Sequence, residues 1–521
     1  MPASYTYPGV YVEEVPSGVR PIAGVSTSST AFVDAFERGP LNEAVRITSF
    51  ADFNRRFGGL SAGSEASYAV QQFYLNGGSI AWVVRVASGA PVPSFAPLLG
   101  GSPAQETLTV SAIDPGFWGD NLQVAATTAG TPGRFNLFVR EVSRTAGTLS
   151  VVRDEAFLNL AMDTTSPRYA VSVVNAASSL MRLEDEGLGS LPIAVAPDPR
   201  GGPPAGAWQD LGGGDDGDAP DANAIIGDPD RKEGLYALDR IAPEVFNLLC
   251  LPRAAALDDG PYSQVMAAAG TFCEERRAFV LFDIPAAIRT EAAMRGWMGG
   301  HDTLRHKNAA IYFPRLIVPD PLNEGRPREV GASGTMAGIY ARTDAGRGVW
   351  KAPAGVDANL RNAEVTVKLT DGENGALNPI GVNVLRNFPV YGSIAWGART
   401  LDGADQKASE WKYVPVRRTA LYIEESLFQG LKWVVFEPND EPLWAQIRLN
   451  ASAFMQTLFR QGAFAGTTPA QAYLVKCDKE TTTQNDVDRG IVNILIGFAP
   501  LKPAEFVVLR IQQLAGQTEA A

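Results

Sequence analysis

Two histidines, three cysteines and one aspartate-rich run are the residues of this chain best equipped for chemistry. An imidazole is the usual general base near neutral pH. His301 and His306 are spaced H-x-x-x-x-H, so they do not stand one turn apart on a helix as a metal-binding pair would. Both read as ordinary surface or core histidines. Cys250, Cys273 and Cys477 are odd in number, far apart and without a C-x-x-C pair, which opposes a disulfide framework or a structural zinc site. Asp215, Asp216, Asp218 and Asp221 are hard oxygen ligands at close spacing and invite a calcium reading. However, Gly227 stands where an EF-hand needs its closing bidentate Glu, and Gly212-Gly213-Gly214-Asp215 starts no repeat. A solvated acidic loop is the better expectation. The chain has no P-loop, so neither a nucleotide nor any other cofactor is expected.

The framework for these residues is a chain of 521 residues, long enough for roughly three domains. Hydrophobic residues make up 45% and charged residues 20%, the composition of a chain that folds. The 45 basic and 57 acidic residues give a net charge of −12, which opposes nucleic acid as a partner. The most apolar stretch, 490–500, is broken by Asn493 and is shorter than the roughly 18 residues of a membrane helix, so no membrane insertion is expected. Met1-Pro2-Ala3-Ser4-Tyr5 has no charged start, and cytoplasmic synthesis without a signal peptide is expected.

Gly and Pro punctuate the chain. Residues 88–105 read as a linker. Residues 201–230, with eight Gly, four Pro, seven Asp and no basic residue, read as an acidic loop that buries little. Before the linker, Thr30–Phe36 and Ile80–Val86 read as strands around two helices. One helix is capped by Ser49; the other, over 64–75, stops at Asn76-Gly77-Gly78. Leu108–Ile113, Leu122–Ala126, Phe135–Val142 and Leu149–Arg153 predict an inserted antiparallel β module. Strands at Phe246–Leu251, Phe279–Asp283 and Ala310–Val318, alternating with helices at 262–276 and 290–298, predict a mostly parallel α/β sheet. A helix over 417–430, a strand at Lys432–Glu437 and a long helix from Pro442 follow. Strands are expected at 473–477, 490–498 and 505–513.

The most specific pattern is Tyr7-Pro8-Gly9-Val10-Tyr11-Val12-Glu13-Glu14-Val15, followed by Pro16, Gly18, Arg20, Pro21 and Ile22. With Gly116-Phe117-Trp118-Gly119-Asp120-Asn121-Leu122, Gly334-Thr335-Met336-Ala337-Gly338, Gly348-Val349-Trp350-Lys351-Ala352-Pro353 and Phe436-Glu437-Pro438-Asn439, it resembles the contractile tail sheath family over nearly the whole chain. This is the family of phage tails, R-type bacteriocins and extracellular contractile injection systems. The resemblance implies a homo-oligomeric polymer of stacked hexameric rings around an inner tube protein, with baseplate and tail-terminator or cap proteins as further partners. It places the product in a phage tail or tail-like particle.

The resemblance also implies a subtilisin-like middle, so a serine hydrolase is the alternative reading. Here the serine expected between Thr335 and Met336 is absent, and neither His301-Asp302-Thr303 nor His306-Lys307-Asn308 gives the glycine-flanked histidine element of that family. Ser333 is the remaining candidate nucleophile. A non-contractile surface-layer or capsid protein is a third reading.

Both ends fit a polymer. Val10 and Val12 alternate with Tyr11 and Glu13 in a segment cut off by Pro16, Gly18 and Pro21. Phe506, Val507, Val508, Leu509, Arg510 and Ile511 form an apolar strand pattern. An isolated strand needs a sheet to join, and donation to a neighbouring subunit would satisfy it. The other option is pairing within one subunit. The long helix buries Trp444, Ile447, Ala451, Phe454, Met455 and Leu458 and leaves Gln446, Arg448, Leu449, Ala453, Gln456 and Arg460 on the opposite side. That side is read as facing the tube, against the alternative of a second buried face.

The expected fold is α/β plus β. It has a 1–20 arm, an inner core from 21–88 and 380–504, an inserted β-rich domain at 106–200 and the acidic 201–230 loop. A subtilisin-like α/β domain at 231–379 and a 505–521 arm complete it.

Overall fold

The structure, a computed structural model, describes residues 20–145 and 148–510. These form two compact units, residues 26–417 and residues 20–25 with 418–510. The larger unit opens with β1 (Thr30–Asp34), all five residues buried, and β2 (Ala44–Ile47). Ser49 accepts a bond from the Asp52 amide and starts α1 (Phe50–Phe57). Ser64 does the same for α2 (Glu65–Leu75), and β3 (Ala81–Arg85) follows.

The linker expected at 88–105 contains a strand, β4 (Phe95–Gly100). Its Ala96 and Leu98 are buried, an alternation masked in sequence by flanking Gly and Pro. Next come β5 (Gln105–Ala112), β6 (Leu122–Thr128), β7 (Phe135–Thr145) and β8 (Thr148–Leu160), then α3 (Ala170–Ala177) and β9 (Met181–Asp185). A short β10 (Gln209–Asp210) joins them. The strands make two antiparallel sheets, β4-β5-β9 and β10-β6-β7-β8. Leu108, Val110, Leu122, Val124, Leu137 and Val139 belong to their common core.

The acidic run is strapped to this module by backbone hydrogen bonds. Phe95 pairs with Gly212, Val92 with Asp215 and Ser88 with Asp218, at 2.8–3.1 Å. Asp221 then caps α4 (Ala222–Ile226), whose Ile225 is fully buried. Main-chain pairing is indifferent to acidic composition, which is why composition missed it.

Beyond it lie β11 (Leu248–Cys250), α5 (Asp259–Glu275), β12 (Phe279–Phe282), α6 (Glu291–Gly300) and β13 (Ala309–Phe313). After them come β14 (Leu316–Asp320), β15 (Arg326–Val330), α7 (Ser333–Arg347), β16 (Glu364–Val365), α8 (Asp371–Leu377), β17 (Asn383–Phe388) and β18 (Gly392–Ala395). Eight strands form one sheet in the order β18-β17-β13-β12-β11-β1-β3-β2. The inner six are parallel, with an antiparallel strand at each edge. Because such a sheet is covered on both faces, its central strands β11, β12 and β13 are apolar and buried along their whole length. Val265, Met266 and Phe272 of α5 pack on one face; on the other, Phe73 of α2 and Tyr340 of α7 meet Phe32 and Tyr312.

Two expectations change here. Residues 310–318 are not one strand: Pro314 has no N–H to continue a ladder, and Arg315 is drawn to Glu65 and Glu329. The chain therefore breaks into β13 and β14, and β14 enters a separate β15-β14-β16 sheet. The grouping of 21–88 with 380–504, apart from 231–379, also differs. β1 bonds directly to β11, so both segments share one sheet.

The smaller unit contains most of α9 (Val414–Gly430), then α10 (Glu441–Arg460), α11 (Pro469–Ala472), β19 (Tyr473–Lys476), α12 (Gln484–Asp488) and β20 (Leu495–Phe498). The strand expected at 432–437 is instead a turn, because Leu431, Trp433 and Val434 dip into the core around Trp444 and Ile447. Residues 20–25 are anchored here. The Arg20 amide donates to Asn450, its guanidinium covers Trp433 at 4.7 Å, and the Val25 amide donates to Ser426. β19 and β20 pair only with each other among the described residues.

Candidate assembly surfaces

Ser333 sits at the start of α7 with 1% exposure. Its hydroxyl donates to Asp283 Oδ2 at 2.5 Å and its amide to Oδ1 at 2.8 Å. Burial raises the Asp283 carboxyl, a cost that these two bonds and nearby Arg315 only partly offset. Arg315 itself is paired with Glu65 at 2.7 Å. The imidazoles bond elsewhere. His301 stacks on Trp297 and faces Asp259; His306 faces Glu274. Ser333 thus has a buried carboxylate for a partner and neither histidine beside it, so nothing in the geometry favours the hydrolase reading.

The Gly334–Gly338 run has a different use. A Cβ at Gly334 would lie 2.2 Å from the Ala69 carbonyl, and one at Gly338 would lie 2.5 Å from that of Phe73. These two glycines let α7 press against α2. The G-x-x-x-G spacing was the available signal, and comparison with a nucleophile segment obscured it.

The three cysteines are buried and free. Among the four aspartates, Asp216 faces Arg85, Asp215 accepts the Gly217 amide and Asp221 caps α4. Among the described residues no group of three or more His, Cys, Asp or Glu is arranged to hold a metal, and no helix is long and apolar enough to cross a membrane.

The outer side of α10 is divided. Leu449 is 51% exposed, and Gln446, Ala453 and Arg460 are exposed as well. The alternative of a second buried face within the unit is not what the structure has. Arg448, in contrast, bonds to Glu441 and the Cys477 carbonyl, and Gln456 accepts from the Tyr473 hydroxyl. Both are tied into their own unit.

The β19–β20 ribbon has two open edges among the described residues, and Leu474 and Leu495 are half exposed. A two-stranded ribbon is marginal by itself, and its unpaired N–H and C=O groups are a template for another strand. Beyond it, Phe506, Val507, Val508 and Leu509 are 76–81% exposed, and Arg510 is exposed too. The strand predicted at 505–513 is not formed over 505–510. Ile511 lies outside the described residues, as do Pro8, Gly9, Val10, Tyr11, Val12, Glu13, Glu14 and Val15 of the other arm.

Residues 406–513 match the phage tail sheath C-terminal domain. The tail sheath protein of Vibrio phage KVP40 is 26% identical over 56% of this chain and 45% of its own length. A putative prophage major tail sheath protein of Pseudomonas aeruginosa is 26% identical over 36% of this chain and 46% of its own. The chain thus spans about half the length of the curated relatives it matches.

The fold is similar to that of the sheath of an extracellular contractile injection system, PVC, in its contracted state. That likeness has a TM-score of 0.59 at 21% identity, covering 98% of each chain. It is similar too to a sheath tail protein of Listeria innocua, with a TM-score of 0.60 at 13% identity over 92% of this chain and 96% of that one. Residues 406–513 thus match a tail sheath C-terminal domain, and nearly the whole chain has a fold similar to that of contractile sheath proteins.

Proposed function

We propose that this chain is the structural subunit of a contractile sheath. It polymerises as stacked hexameric rings around an inner tube and contracts to drive that tube through a target envelope. The observation that carries the reading is the unpartnered apolar segment 506–509 beside an open two-stranded ribbon, in a chain whose fold is that of sheath subunits. Burying one such side chain is worth about 1.5–3 kcal/mol. Four added to a neighbour's ribbon, with ladder hydrogen bonds, make a strong intersubunit joint. Residues 8–15 would supply a second donated strand.

The inner tube meets Gln446, Leu449, Ala453 and Arg460 of α10, while a baseplate and a cap bound the polymer. The energy for contraction is stored in the extended lattice and released as subunits repack, moving as rigid bodies while the arms keep them linked. The particle is a phage tail or a tail-like device. Negative-stain electron microscopy of the purified chain, whole and lacking residues 1–20, tests the reading. Hollow cylinders from the whole chain that disappear on deletion are expected. Particles without a cylindrical lattice, even with tube protein present, would refute it.

A further inference from the structure

A cavity of about 560 Å³ opens among the last turns of α7, the loop that follows it and the tip of the β17–β18 hairpin. Its walls carry Arg342, Arg347, Lys351 and Arg361 against one carboxylate, Asp357. Four cations around one recess are unexpected in a chain of net charge −12.

The recess is built on a held loop. Gly348 takes φ +89 with the Trp350 ring against its α-carbon, a position closed to any side chain. The Gly355 and Leu360 amides donate to the Ala395 and Ser393 carbonyls, and the Arg361 amide donates to Asn76. The cations are therefore presented on a framework fixed before any ligand arrives.

Their charges are poorly compensated. Arg347 approaches Asp357 only to 3.7 Å, and both are mostly exposed, so that pair contributes little. Lys351 donates to the Ala352 and Ala354 carbonyls and forms no ion pair among the described residues. Arg342 uses Nη2 on Asn359, while its buried Nη1 has no partner among the described residues. Arg361 makes no ion pair among them either. Burial and the Arg347 charge push the Lys351 ammonium down, and Asp357 offsets this only in part. The helix dipole accounts for a cation in the last turn of α7, and hence for Arg347, but not for Lys351 or Arg361.

We propose that this cavity binds a small multivalent oxyanion of the pyrophosphate class. Planar guanidinium groups suit phosphate oxygens, and a lysine adds a point charge. The site size is that of a small-molecule pocket. Tyr391, 55% exposed at the rim, offers a ring face to whatever organic group the phosphates carry. The inference needs no assembly and stands apart from the sheath function.

Isothermal titration of the full-length subunit with sodium pyrophosphate and with inorganic phosphate, at constant ionic strength, is the test. One saturable site is expected, at least tenfold tighter for pyrophosphate. Lys351→Gln and Arg361→Gln each weaken it tenfold or more, while Arg326→Gln, at an exposed arginine elsewhere, does not. Urea midpoints establish that all variants are folded. No saturable binding, or equal weakening by Arg326→Gln, would overturn the proposal. So would protection of Lys351 from acetylation only in assembled cylinders, without pyrophosphate binding, which would assign the cavity to carboxylates of a second copy.

Discussion

The buried polar residues Asp34, Asp283 and Ser333 direct their hydrogen bonds into the fold. Asp34, at the carboxyl end of β1, accepts the Ala35 and Arg253 amides at 2.7 Å each, yet burial pushes its carboxyl up to about 7. The sign follows from linkage. Between the ordinary carboxyl range near 4 and about 7, the folded chain holds a proton that the unfolded chain has released, so stability falls as pH rises through that window. Urea midpoints should therefore fall from about pH 4.5 to 7. Each pH step of one across that window costs roughly 1.4 kcal/mol, so the whole fall is worth a few kcal/mol. In Asp34→Asn that slope should be reduced, with the remainder left to other buried carboxyls that are raised, such as Asp283 and Glu65, even if the variant is less stable at every pH. A slope of the same size in the variant would place its origin elsewhere. Asp283 and Ser333 follow the same logic, since their hydrogen bonds are directed inward at the end of a parallel sheet. The residue types were legible as possible chemistry, but their mutual closure was not.

At the scale of elements, two helix faces make opposite demands. α7 needs the absence of side chains where it crosses α2. Gly334→Ala or Gly338→Ala would gain about 1 kcal/mol of helix propensity. Each would also force a methyl against a backbone carbonyl at 2.2–2.5 Å, and such overpacking costs about 1–3 kcal/mol. Both substitutions together should lower the denaturation midpoint clearly, and an unchanged midpoint would show that α2 and α7 are not in contact as described.

The outer side of α10 should behave differently. Arg460 is exposed, so with Arg460→Glu stability should stay within about 0.5 kcal/mol of the parent. Co-sedimentation with the inner tube should be lost. Arg448→Ala should instead destabilise the smaller unit, because it removes the bonds to Glu441 and the Cys477 carbonyl. The helix was readable from its period and its start at Pro442, but not the division of labour between its two arginines. That depends on a neighbouring loop, not on the helix itself.

At the scale of the whole molecule, the proposed assembly would rest on what each subunit leaves unpaired. Removing residues 505–521 should leave the subunit folded, because 506–509 are mostly exposed and carry no ladder. Circular dichroism and the urea midpoint should be almost unchanged, while cylinders in electron micrographs shorten or vanish. Undiminished cylinders would move the intersubunit joint to another surface. In the larger unit, early and late segments share one sheet, so truncation anywhere within 26–417 should unfold that unit rather than trim a domain.

Local signals in the sequence determined the helix with its Ser49 cap, the helix that stops at Asn76-Gly77-Gly78, the long helix from Pro442, the strands that alternate, the inserted β module and the α/β character. These depend on hydrogen bonds and periodicities within a few residues. The family pattern along the chain added the sheath reading. Only the tertiary structure decided that β1 lies beside β11, that the acidic run is strapped down by main-chain pairing, and that residues 432–437 turn into a core rather than extend. It alone collected Arg342, Arg347, Lys351 and Arg361 around one recess. Each of these depends on partners distant in the chain or on backbone groups common to every residue, and neither leaves a mark in local composition.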